Sequence, residues 1–132
     1  MIFSLFEIIL YVSNQEKSKD FYSAILKEDP SLHVPGMTEF TLADNFKLGL
    51  MPENGIAKII SPVMPQPITA NGIPRCELYL VSEQMEELFE LAIELGAKKV
   101  SEIQPRDWGD TVGYVADFDG NIIAFASKCY NS

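Results

Sequence analysis

The apolar positions of this chain change period along its length, and the changes mark out elements. Phe6 to Val12 is a run of strand-forming residues. Ser13 follows, with Glu16 three residues later, which is the spacing of a capping box. Ser18, Phe21, Tyr22 and Ile25 then fall at i, i+3, i+4 and i+7, one face of a helix reaching about Leu26. Strand period returns over Thr38 to Leu42 and Phe46 to Met51, with Asp44-Asn45 as the turn and Pro52 as the stop.

The stretch 54–74 breaks this order. It carries Pro62, Pro65, Pro67 and Pro74 with Gly55 and Gly72, so it is expected to connect two halves, with a short strand or turn at Ala57 to Ile60. The pattern then restarts. Cys76 to Val81 reads as a strand, and Ser82 as a candidate N-cap. Met85, Leu88, Phe89 and Ala92 repeat the helical spacing, and Gly96 stands where a left-handed C-terminal residue belongs. Lys98 to Ser101 is expected as a short strand and Ile103 to Asp110 as a loop. Val112 to Ala116 and Ile122 to Ala126 form a hairpin around Asp117-Phe118-Asp119-Gly120-Asn121. Each half reads β-α-β-β with room for one more short strand, an internal repeat in element order. The expected organisation is a single α+β domain: module 1 over about 1–53, a linker over about 54–74, and module 2 over about 75–128.

Composition narrows the class. The 132 residues are 47% hydrophobic, enough for a core without staples. A net charge of −9 argues against nucleic acid and anionic membrane surfaces, which need Lys and Arg to replace counterions. Cys76 and Cys129 make no disulfide framework and no zinc knuckle, so both are expected as reduced thiols. The apolar start, MIFSLFEIILYV, has no basic region before it and is too short to span a bilayer. A cytoplasmic protein is expected.

The sequence resembles the vicinal oxygen chelate superfamily, which includes glyoxalase I, bleomycin-resistance proteins, fosfomycin-resistance enzymes and extradiol dioxygenases. The resemblance rests on Tyr11-Val12-Ser13, Glu16-Lys17-Ser18 and Phe21-Tyr22 in the first half. In the second it rests on Glu77-Leu78-Tyr79-Leu80, Leu95-Gly96-Ala97, Trp108-Gly109, and Asp117 to Asn121 ahead of Ile122-Ile123. Phe118 stands where the family usually has proline. The resemblance implies two βαβββ modules whose mixed sheets curl around a shared cleft, usually in a homodimer. It does not fix a function, because the fold hosts several chemistries.

In metal-using members the ligands come from four strand positions, filled by His, Gln or Glu. Carried over, these are Glu7, Gly49, Glu77 and Ala124. Gly49 and Ala124 have no donor side chain, so two carboxylates remain, short of the three protein ligands usual for catalytic Zn²⁺. His33, the one histidine, is expected in an exposed loop. Strand alternation groups Glu7 with Ile9 and Tyr11, and Glu77 with Tyr79 and Val81, apart from the aliphatic faces that suit helices.

Two carboxylates in one cleft would attract a cationic ligand, share a proton near neutrality, or hold a hard cation through water. Glu7 and Glu77 are therefore the candidate catalytic pair. Tyr11, Phe40, Met51, Tyr79, Tyr114, Phe125 and Trp108 are candidate walls, with core packing as the other expectation for Phe40 and Phe125. Arg106 is a candidate for an anionic ligand group, or for an ion pair with Asp107 or Asp110. The resulting expectation is a metal-independent protein that binds a small organic ligand. The alternative is a lyase, isomerase or dioxygenase of the superfamily using one divalent metal ion.

Overall fold

A computed structural model describes residues 2–128, so Cys129 lies outside the described residues. The elements run β1 (Phe6–Val12), α1 (Gln15–Leu26), β2 (Leu32–Val34), β3 (Met37–Ala43), β4 (Phe46–Pro52), α2 (Glu53–Ile60), a 3₁₀ turn (Pro67–Ala70), β5 (Glu77–Val81), α3 (Met85–Glu94), β6 (Lys98–Pro105), β7 (Thr111–Ala116) and β8 (Ile122–Ser127). They form two units, one ending at Asn71 and the other starting at Gly72. Each unit contains a βαβββ module. No helix among the described residues is long and apolar enough to cross a membrane.

In the first unit the sheet order is β1-β4-β3-β2, with β1 parallel to β4 and the remaining pairs antiparallel. The α1 face predicted by spacing is the buried one: Ser18, Phe21, Tyr22 and Ile25 are all buried. Leu10, Val12, Phe40, Leu48 and Leu50 supply the sheet side of that core. The cap sits one residue beyond Ser13, because Asn14 Oδ1 accepts from Lys17 N at 3.0 Å. The helix ends on Lys27 at φ 58, a left-handed conformation that costs a side-chain-bearing residue free energy. Lys27→Gly is therefore expected to raise stability by about 0.5–1 kcal/mol in urea unfolding.

The second unit repeats the plan. Its sheet order is β5-β8-β7-β6, with β5 parallel to β8. Met85, Phe89 and Ala92 of α3 are buried. Gly113, on β7, lets α3 come close, since a Cβ there would lie 2.7 Å from the Phe89 ring and 2.7 Å from Ile103. Gly96 takes φ 109 after α3, as expected of it.

Three boundaries differ from those expected from the sequence. Residues 53–60 are helix α2, because Pro52 stops β4 and opens the next helix. The strand predicted to end at Ser101 runs on to Pro105 through two irregularities in its pairing with β7, which hide its alternation. Ser82 caps a turn ahead of α3, its Oγ accepting from Gln84 N at 3.0 Å, and the helix starts at Met85.

Candidate functional site

In the first unit, alternation along β1 sends Leu10 and Val12 into the core and leaves Glu7, Ile9 and Tyr11 on the opposite face. The register places Glu7 beside Lys47, Ile9 beside Gly49, and Tyr11 beside Met51. Glu39, on β3, lies across from Gly49 on the other side. The Glu7 side chain leans over Gly49, where a Cβ would stand 2.6 Å from Glu7 Oε2. It thereby reaches the Glu39 carboxyl, whose Oε1 accepts from Lys47 Nζ at 3.4 Å. Glu7 Oε2 is buried and has no hydrogen-bond partner among the described residues.

This environment raises the Glu7 pKa from 4.5 to about 7. Burial is the largest cause. Hydrogen bonding to Glu39 and that group's like charge come next, and the Lys47 ammonium partly offsets them. A carboxyl that is partly protonated at neutral pH can give or take a proton.

In the second unit, Glu77, Tyr79 and Val81 share the exposed face of β5. Tyr79 pairs with Ala124, and Ala124 with Tyr114, so the two tyrosines flank a position too small to separate them. The Tyr79 hydroxyl donates to Asp110 Oδ2 at 2.6 Å and accepts from Trp108 Nε1 at 2.7 Å. Lys128 Nζ donates to the same Asp110 oxygen at 3.3 Å. Asp110 is buried, and its pKa falls because Tyr79 and Lys128 bond to its charged form. Tyr79 shifts up, first through burial and then through Asp110.

The loop holding Trp108 is closed by Arg106 N donating to Asp110 O at 2.8 Å. The indole is thus held at its nitrogen while 58% of the residue stays exposed. Tyr79→Phe removes both bonds of the hydroxyl. Asp110 keeps Lys128, so a loss of about 1 kcal/mol is expected, with a change in Trp108 emission as the indole comes free.

Arg106 does not pair with Asp107 or Asp110. Its Nε and Nη2 donate to Val112 O at 3.2 and 2.9 Å, and Nη2 also reaches Ser101 Oγ and Glu102 O. Its guanidinium carbon lies 5.0 Å from the Tyr114 ring centroid. The guanidinium therefore positions Tyr114, and this engagement leaves it less available to an anionic ligand.

Of the remaining predicted residues, Tyr11 and Met51 are half-buried on the Glu7 face. Phe40 and Phe125, expected as walls or core, are fully buried among the helix-facing residues and are core. Four of the predicted residues come together in the second unit: Tyr79, Arg106, Trp108 and Tyr114. Glu77 lies on the same face at the Ile122 end of the sheet, and after burial its charge is the next cause that raises the Tyr114 pKa. Glu7 has Glu39 as its carboxyl neighbour, a residue that sequence reasoning misses together with Lys47 and the role of Asp110. Glu39 alternates with the buried Thr38 and Phe40, so the strand period does carry its face, though not its register against Glu7.

His33 lies on β2, not in a loop. Its Nε2 is 2.6 Å from Glu16 Oε1 and its Nδ1 is 2.7 Å from Thr38 Oγ1, which ties the β2–β3 hairpin to the start of α1. The imidazole lowers the Glu16 pKa.

The four positions used by metal-binding relatives give a mixed result. Glu7 and Glu77 carry donors, whereas Gly49 and Ala124 do not, and the space above Gly49 is filled by the Glu7 carboxyl. Among the described residues, no three His, Cys, Asp or Glu side chains are grouped to hold a metal ion.

The family model of the glyoxalase-like domain matches residues 5–129. The chain belongs to the glyoxalase-like domain family. Among solved structures, this glyoxalase-like chain is similar to a glyoxalase-related enzyme from Fulvimarina pelagi, at 20% identity over 92% of this chain and 86% of that one, with a TM-score of 0.77. A fosfomycin resistance protein from Listeria monocytogenes matches at 20% identity over 96% and 94%, with a TM-score of 0.66. A glyoxalase/bleomycin resistance protein/dioxygenase from Nocardioides matches at 17% identity over 97% and 85%, with a TM-score of 0.72. These likenesses concern the fold. No curated protein matches the chain.

Proposed function

We propose that this glyoxalase-like protein binds a small organic ligand without a metal ion, and that the ligand is an aromatic cation. The observation carrying this reading is the exposed Trp108 ring, anchored through Tyr79 on the face of the second sheet that also carries Tyr114 and, two residues along β5, the exposed Glu77. An aromatic face next to a carboxylate suits a flat positive ligand. The commitment of Arg106 to backbone carbonyls argues for a cation over an anion. The donorless Gly49 and Ala124 support metal independence.

Trp108 is the chain's one tryptophan and serves as the reporter. Titration with N-methylquinolinium is expected to quench its emission saturably, with affinity at least tenfold weaker in Glu77→Gln. Linear quenching, or equal affinity for 2-naphthoate, would overturn the reading. A homodimer is expected with it, and light scattering at working concentration tests that.

A second reading is favoured by Glu7, whose position near neutrality suits proton transfer. It is a lyase, isomerase or dioxygenase that uses one divalent metal ion. Stoichiometric metal in the purified protein, lost in the Glu7→Ala/Glu77→Ala double variant, would make this the leading reading. Methylglyoxal–glutathione turnover with added Zn²⁺ or Ni²⁺ tests its glyoxalase version.

A further inference from the structure

We propose that the second unit holds a separate site for a small organic acid, an apolar body ending in one carboxylate, with Lys98 as the residue that binds the carboxylate. The site is a cavity of about 460 Å³, within the range of small-molecule pockets. It lies at the far end of the sheet from Trp108, where β6 begins and the β7–β8 turn closes. Its walls include Pro74, Val100, Phe118 and Ile122, and its basic groups are Lys98 and Lys99.

Three features build it. The first is a backbone contact. Gly120 sits at φ 88, and a Cβ there would lie 2.7 Å from the carbonyl carbon of Gly72. The incoming chain at residues 72–74 is therefore pressed onto the turn and forms one wall.

The second is Phe118. Its ring packs against Gly96, where a Cβ would stand 3.2 Å from Phe118 Cε1, and it supplies an aromatic wall at a turn position. The exposed Val100 faces the same space.

The third is charge. The cavity has one acidic lining residue, Asp117, and its carboxylate is taken up by the turn. Oδ1 accepts from Asp119 N and Asn121 N at 2.9 Å each, and Oδ2 from Asn121 Nδ2 at 3.1 Å. Lys99 Nζ donates to Glu102 Oε1 at 2.7 Å. Lys98 is exposed and, among the described residues, has no carboxylate within ion-pair distance. An apolar cavity with one uncommitted ammonium on a chain of net charge −9 is matched to a monoanion. A phosphate dianion is matched less well, because Glu102 already engages the second ammonium, that of Lys99.

The inference is independent of the Trp108 reading, and one experiment separates them. Octanoate is titrated into the ¹⁵N-labelled protein and followed through backbone amides. The expected result is saturable shifts at 98–100 and 116–122, with none at 106–110. Lys98→Glu is expected to weaken octanoate binding at least tenfold while leaving the dispersion of the spectrum intact. Phe118→Ala is expected to weaken it as well. Octanol, with the same chain and no charge, is expected to bind at least tenfold more weakly than octanoate. The proposal is overturned if no saturable shift occurs, if the shifts fall elsewhere, if octanol matches octanoate, or if folded Lys98→Glu binds like the wild type.

Discussion

Gly113→Ala is expected to destabilise the protein by about 2–3 kcal/mol, in the upper part of the range for overpacked cores. The new methyl would lie 2.7 Å from Ile103 Cγ1, 2.7 Å from Phe89 Cδ1 and 2.8 Å from Phe89 Cε1. Phe89 is 1% exposed, so its ring has no open space to move into. The helix must lift from the sheet, and the dispersion contacts of Met85 and Ala92 are loosened with it. Gly55 is the contrasting case. It lies within α2, and a methyl added there would meet nothing within 4 Å, so Gly55→Ala is expected to stabilise by about 0.5 kcal/mol through helix propensity alone. Urea midpoints measured at unchanged slope would read both effects. A Gly113→Ala midpoint equal to wild type would mean that β7 and α3 are not packed at this distance.

The sequence carries the repeat because each half spells the same periods in the same order. Ser18, Phe21, Tyr22 and Ile25 on α1 and Met85, Phe89 and Ala92 on α3 can be named from spacing, since one helical face must meet the sheet. Strand alternation likewise separates Glu7 from Leu10 and Val12. What alternation does not contain is register. Glu39 meets Glu7 only because Gly49 lies between their strands and leaves the space above it open, and that needs the pairing of three strands at once. The full length of β6 is hidden for a related reason: its irregular pairing interrupts the period that identifies a strand. Asp110 is suggested by sequence only as an ion-pair partner of Arg106, and in the structure its partners are Tyr79 and Lys128. A buried carboxylate held by residues 31 and 18 positions away leaves no local pattern.

Glu7 is expected to make the protein more stable in acid than at neutral pH. Its pKa is about 7 in the folded chain and lies at the ordinary 4.5 when unfolded, so between these values the folded state holds the proton more tightly. The folded state therefore has its full stability from this group below about pH 4.5 and loses it as the pH rises through about 7. Glu7 is partly exposed, so solvent screening limits the loss to on the order of 1–2 kcal/mol. Glu7→Gln should remove this slope and be the more stable protein above pH 7. Its neighbours should then order the titration. Lys47→Met removes the cation that lowers the Glu7 pKa, so Glu7 titrates higher still. Glu39→Gln removes the like charge, so Glu7 titrates lower, though above an ordinary carboxylate, because burial is the largest cause. Gly49→Ala places a methyl 2.6 Å from Oε2. The flexible carboxylate swings out into water, and Glu7 titrates closest to its ordinary value at little cost to stability. Side-chain carboxyl ¹³C shifts across pH 4 to 9 would read the series. An unchanged Glu7 in Glu39→Gln would show that the two carboxyls do not act on each other, and an unchanged Glu7 in Gly49→Ala would show that its burial does not depend on the space above Gly49.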